Sequence, residues 1–130
     1  MTLAPDALYP AGGYPDNDDD GKKMLNRAKI LTDMLNSAQH VKAHALSNGK
    51  VGATGFSFGG AVIYYLAVQF GSYLQAGVPF YGRAPKSEDV YRIKAAMLLY
   101  YTGYDKRVNT TRPGYETALK ANGVNYATYS

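Results

Sequence analysis

One hundred and thirty residues with a formal net charge of +4, 46% hydrophobic and 18% charged, suit one folded domain and not a disordered chain. No apolar run approaches the ~20 residues that span a bilayer, and a chain without cysteine has neither a disulfide framework nor a thiolate metal site. The basic residues fall in scattered pairs, Lys22 with Lys23, Arg83 with Lys86, Arg92 with Lys94 and Lys106 with Arg107. A nucleic-acid surface would gather them into a stripe, so no nucleic-acid partner is expected. The N-terminus carries no basic-then-apolar leader, which makes the cytoplasm the expected address. Thirteen tyrosines suggest a cleft or an interface, because a phenol couples apolar area to a polar tip.

In chain order, TLAPDALY at 2–9 reads as a short apolar piece, the end of a strand, and PAGGYPDNDDDG as a loop. From Lys22 to Leu46, apolar residues at 24, 25, 28, 31, 35, 38, 41 and 45 recur at three- and four-residue steps, the period of one amphipathic helix. Asp18, Asp19 and Asp20 precede it and suit the positive end of its dipole. Ser47, Asn48 and Gly49 close it. Residues 50–56 read as a buried strand, 58–70 as a helix buried on most sides, 76–81 as a second buried strand and 95–101 as a third. EDVYRI predicts a short helix, NTTRPGYETALKANG a helix closed by Gly123, and VNYATY a further strand. Strands alternating with helices imply right-handed crossovers, a parallel sheet and one α/β domain over 1–130.

The chemistry gathers at Gly55-Phe56-Ser57-Phe58-Gly59. A nucleophilic serine needs a sharp strand-to-helix turn, with small residues two before and two after it, and here a strand precedes and a helix follows. The amide of Phe58, at the start of that helix, would donate to a developing oxyanion. Asp105 follows the strand 95–101, and acidic residues at the carboxyl end of a parallel strand stand at the functional edge of the sheet. Its place after the serine fits the order serine, acid, histidine. The only histidines, His40 and His44, precede Ser57. They lie at the end of a helix that runs antiparallel to the strand it feeds, roughly 20 Å of strand away from the serine. A general base must come within about 3 Å, so neither serves Ser57 in its own subunit. Asp16, Asp18, Asp20 and Gly21 mimic the opening of a calcium loop, but its twelfth position is Arg27, a cation where a bidentate Glu belongs, so no metal is expected.

SNGKVGATGFSFGGA, AGVPFYGRAP, IKAAMLLYYTGYDKRVN and YETALKANGVNY, in this order and spacing, resemble the dienelactone hydrolase family of α/β hydrolases across essentially the whole chain. LAPDALYP is similar to the family's segment after its fourth strand. The resemblance implies a truncated α/β-hydrolase core that hydrolyses small esters or lactones without a metal or organic cofactor. It assigns Ser57 to the nucleophile, Asp105 to the acid, and Tyr81 and Arg83, after a strand at the same edge, to substrate contact. Three departures are visible. Serine stands where the family usually has cysteine, and a hydroxyl depends on its base more than a thiol does. The family's histidine turn and the strands before its fourth are not in the chain. The missing third strand would leave the strand 50–56 with an open edge, which predicts self-association. The alternative reading is a catalytically incomplete fragment with an interaction or structural role.

Overall fold

In the computed structural model, which describes residues 1–130, the first periodic segment forms two helices, α1 over Asp18–Met24 and α2 over Arg27–Ala43. Their apolar spacing continues across the break, so periodicity alone reads them as one. The break comes from Asn26, whose extended backbone and side-chain oxygen, accepting from the Lys29 amide, start a new helix. The three aspartates occupy the first turn of α1 itself and not the approach to it. Asn17 caps that turn, with its Oδ1 accepting from the Asp19 and Asp20 amides at 2.9 and 3.1 Å. Residues 2–9 contain no strand; they end in a 3-10 turn at Tyr9–Ala11. The helix ends earlier than the Ser47-Asn48-Gly49 signal, at Ala43.

The chain divides into two compact units, Met1–Gly49 and Lys50–Ser130. The second holds the sheet, whose strands β1 (Val51–Phe56), β2 (Leu74–Phe80), β3 (Ala96–Tyr100) and β4 (Tyr126–Tyr129) lie side by side in chain order, all parallel. Between them run α3 (Phe58–Phe70), a 3-10 helix at Ser87–Arg92 and α4 (Lys106–Ala121). The α/β reading therefore holds, with element ends shifted by a few residues. No helix is long and apolar enough to cross a membrane.

The core lies between one sheet face and α3. That helix is apolar nearly all round, and Val62, Ile63, Leu66, Ala67, Val68 and Phe70 are buried. The Val, Ile, Leu and Phe side chains among them contribute about 1.5–3 kcal/mol each when fully removed from water. Gly77 of β2 lets the helix approach: a Cβ there would lie 2.8 Å from Met97 Sδ and 3.2 Å from Ile63 Cγ2. Leu99 and Leu119 are fully buried on this side. Arg112 of α4 ties the helix to the end of β4. Its guanidinium bonds Glu116 Oε1 at 2.6 Å, reaches Ser130 Oγ at 2.8 Å, and stands 4.3 Å over the Tyr101 ring.

The other sheet face carries Gly52, Thr54 and Phe56 from β1, Ala76, Val78 and Phe80 from β2, Ala96, Leu98 and Tyr100 from β3, and Ala127 and Tyr129 from β4. None is fully buried and none is charged. Phe56, Phe80, Tyr100 and Tyr129 stack in a row across the carboxyl ends, with ring centroids 4.5, 4.5 and 5.5 Å apart.

Candidate active site

Ser57 joins β1 to α3 with φ 54° and ψ −115°. A residue with a Cβ avoids this region, and holding it there costs on the order of 1–3 kcal/mol. Nearly the same backbone shape recurs at the other end of α3, at Gly71 (φ 54°, ψ −124°), where glycine adopts it without a Cβ clash. A turn serving the chain path alone needs only glycine; this one carries an exposed hydroxyl.

Hydrogen bonds and close backbone packing hold the strain. The Ser57 amide donates to Phe80 O at 3.0 Å, and Ser57 O accepts from the Ala61 amide at 3.1 Å. A Cβ on Gly55 would lie 2.6 Å from the Gly59 carbonyl group. One on Gly60 would lie 2.7 Å from Phe80 O, and one on Gly82 2.3 Å from the Gly60 carbonyl carbon. A Cβ on Gly59 meets nothing within 4 Å. The motif's requirement for a small residue two after the serine is therefore not steric at its own Cβ. The glycines under steric constraint are Gly55, Gly60 and Gly82, of which the motif names only the first.

Because every strand is parallel, Ser57 after β1 and Asp105 beyond β3 stand at the same, carboxyl edge of the sheet. Two strand spacings, about 10 Å, separate those two strands. Asp105 caps α4, its Oδ1 accepting from the Arg107 and Val108 amides at 3.0 and 3.3 Å. Its Oδ2 faces Arg107 Nη2 at 3.6 Å, a pair that is screened because Arg107 is 90% exposed. This cap explains why α4 begins ahead of the predicted start, which leaves Pro113 in its interior. Asn109, one turn on, donates to Thr102 O at 2.9 Å and closes the loop that carries Asp105.

Tyr81, the residue after β2, also takes a positive φ, 40°, and its amide donates to Tyr100 O at 2.7 Å. Its ring lies 6.3 Å from that of Phe56, the neighbour of Ser57. Arg83 lines an open groove of about 220 Å³ along α3 with Ala61, Tyr65, Lys86 and Asp89, a groove that neither Ser57 nor Asp105 lines. Phe58 opens α3. Unit Lys50–Ser130 contains no histidine; in the other unit His44 follows the end of α2, and its Nδ1 accepts from the Leu46 amide at 3.1 Å.

Sequence reasoning missed a cluster of three buried tyrosines: Tyr64 of α3, Tyr101 just after β3, and Tyr115 of α4. Burial raises all three phenols, Tyr101 to about 12 and the others further; neighbouring phenols add to the rise of Tyr64 and Tyr115, and Glu116 to that of Tyr101. The hydroxyl of Tyr115 has no hydrogen-bond partner. Removing an unpaired buried hydroxyl removes its desolvation cost. Tyr115→Phe is therefore expected to leave stability unchanged or raise it by about 1 kcal/mol, read as a shift of the urea midpoint.

The profile of the dienelactone hydrolase family matches residues 1–130. "Protein usf" of Aquifex pyrophilus is 32% identical over 122 residues, covering 84% of this chain and 50% of that protein. A human carboxymethylenebutenolidase homolog is 34% identical over 83 residues, 64% of this chain and 33% of its own length. The chain thus spans half or less of the curated relatives it matches. Among solved structures, a dienelactone hydrolase-like promiscuous phosphotriesterase from metagenomic libraries superimposes with a TM-score of 0.68 at 23% identity, over 87% of this chain and 49% of that one. An acylaminoacyl peptidase of Pyrococcus horikoshii gives 0.63 at 16% identity, over 78% of this chain and 23% of that chain. At these identities the structures speak for the fold alone.

Proposed function

The chain belongs to the dienelactone hydrolase family, and from that premise we propose hydrolysis of a small carboxylic ester or lactone with Ser57 as the nucleophile. The observation that carries this is the positive φ of Ser57 in a strand-to-helix elbow, where a purely structural turn has glycine available. In the proposed reaction Ser57 Oγ attacks the carbonyl carbon and gives up its proton to a base. The carbonyl oxygen becomes an oxyanion facing the Phe58 amide, and the alcohol leaves with a proton from the same base. Water then repeats the sequence on the acyl-serine. The base is a histidine from outside this chain segment, since Lys50–Ser130 has none and neither His40 nor His44 is expected to reach Ser57 in its own subunit. Asp105, at the same sheet edge, orients it, and Tyr81 and Arg83 contact the substrate. Self-association through the unpaired edge of β1 and a cytoplasmic setting belong to the same proposal.

The test is direct. A fluorophosphonate probe should label the wild-type chain at Ser57, and p-nitrophenyl acetate turnover should fall at least about tenfold in Ser57→Ala. Equal turnover in the two proteins, with no labelling, would sink the reading.

A further inference from the structure

The chain holds two Asn-Gly pairs, Asn48-Gly49 after α2 and Asn122-Gly123 after α4. Asparagine before glycine is prone to cyclise, because a following residue without a side chain leaves its amide nitrogen open to reach the side-chain carbonyl. Exposure treats the two pairs alike, since both asparagines are exposed. Hydrogen bonding does not. Asn122-Gly123 is built into the end of α4, where the Gly123 amide donates to Lys120 O at 3.1 Å and the Val124 amide to Leu119 O at 3.0 Å, the paired bonds of a left-handed helix end. The Asn122 carboxamide is turned back along the helix, Nδ2 donating to Ala118 O at 2.8 Å. With ψ at 5°, the Gly123 nitrogen eclipses Asn122's own nitrogen and not the Cβ that bears the carboxamide. Ring closure there must rotate ψ and break the bonds of both reacting nitrogens, each bond slowing it by about five- to tenfold.

Asn48-Gly49 lies outside any helix or strand. A Cβ on Gly49 would meet nothing within 4 Å, so the approach to its amide is open. That amide donates at 3.0 Å to Ser47 Oγ, a rotatable hydroxyl, where Gly123 is held by a carbonyl of the helix end. Lys42 Nζ donates to Gly49 O at 2.7 Å. It sets a cation beside the nitrogen that must give up its proton, and a positive charge nearby favours the deprotonated form.

We propose that Asn48 is a site of spontaneous modification in the folded protein, converting to aspartate and isoaspartate, and that the cap of α4 spares Asn122. The Gly49 amide loses its proton to solvent, and its nitrogen attacks Asn48 Cγ. The new N–Cγ bond closes a five-membered imide, the Cγ–Nδ2 bond breaks, and ammonia leaves with a proton from water. A second water then opens the ring. Opening at Cγ gives aspartate; opening at the backbone carbonyl gives isoaspartate. The second product carries the main chain through the side-chain methylene, lengthening the segment that leads into β1.

The folded chain, held in mildly alkaline buffer and then digested with trypsin, releases residues 43–50 and 121–130 as separate peptides, since lysines stand at 42, 50 and 120. Chromatography with fragment mass spectrometry reads the aspartyl and isoaspartyl forms at Asn48 and at Asn122. Asn48 should convert about tenfold or more faster than Asn122. In guanidinium chloride, where the folded hydrogen bonds are gone, the two rates should agree to within about threefold. Equal rates in the folded chain, or faster loss of Asn122, overturn the proposal. So does a folded chain that keeps Asn48 while the unfolded chain loses it. A ratio of about tenfold that persists in denaturant overturns it too, because the difference would then lie in the flanking sequence. None of these outcomes depends on Ser57, so the hydrolase reading stands or falls separately.

Discussion

Gly82→Ala should destabilise the chain by about 3 kcal/mol or more, whereas Gly59→Ala should be neutral or stabilising by about 0.5–1 kcal/mol. The contrast follows from where the two Cβ atoms would go. On Gly82 it would lie 2.3 Å from the Gly60 carbonyl carbon and 2.4 Å from the Ala61 amide nitrogen. Those are backbone atoms of the first turn of α3, which cannot swing aside as the end of a flexible side chain can. On Gly59 it would enter open space within a helix, where alanine loses less backbone entropy than glycine. Gly60→Ala should resemble Gly82→Ala, since its Cβ would meet Phe80 O at 2.7 Å and the Gly82 Cα at 2.9 Å. Denaturant midpoints for the three variants measure this. Because Phe80 O also accepts the Ser57 amide, the Gly60 and Gly82 variants should lose fluorophosphonate labelling as well. A Gly82→Ala protein with an unchanged midpoint would mean that the helix does not approach the 80–82 turn as closely as described.

These glycines mark where sequence reading reached its limit. The strand, the serine and the helix 58–70 were legible because a short apolar run, a glycine-flanked turn and an all-round apolar segment each have one physical explanation. Which glycines bear the packing was not, because a close approach between two backbones far apart in sequence leaves no local pattern. Asp105 was legible as a residue after a strand, but its Oδ1 is taken up by capping α4, which is visible only once the helix start is known. Asn26 is the converse case, a cap hidden inside an unbroken apolar period. The buried tyrosines were counted in the sequence and looked for at a cleft. Three of them instead fill the space between α3, α4 and the end of β3, since a phenol at a core position of a helix has the same spacing as any apolar residue.

Those three phenols predict a steep alkaline transition. A tyrosine in the unfolded chain titrates near pH 10. Buried Tyr101 is pushed up to about 12, and Tyr64 and Tyr115 rise above that. Below pH 10 both states hold all three protons, so stability does not depend on these groups. Above it the unfolded chain releases protons that the folded chain keeps, so the stability present at neutral pH is lost as pH climbs towards the folded values. Each group contributes about 1.4 kcal/mol per pH unit, roughly 4 kcal/mol per unit for the three together. A domain with 5–15 kcal/mol in hand should therefore unfold cooperatively within a few pH units above 10. Absorbance at the tyrosinate band should show a cooperative step coincident with loss of far-UV dichroism, as these three phenols ionise on unfolding. Tyr115→Phe removes one of the three protons and should flatten the dependence of stability on pH by about a third. An absorbance rise with no cooperative step, and with dichroism intact, would show instead that the cluster is open to water.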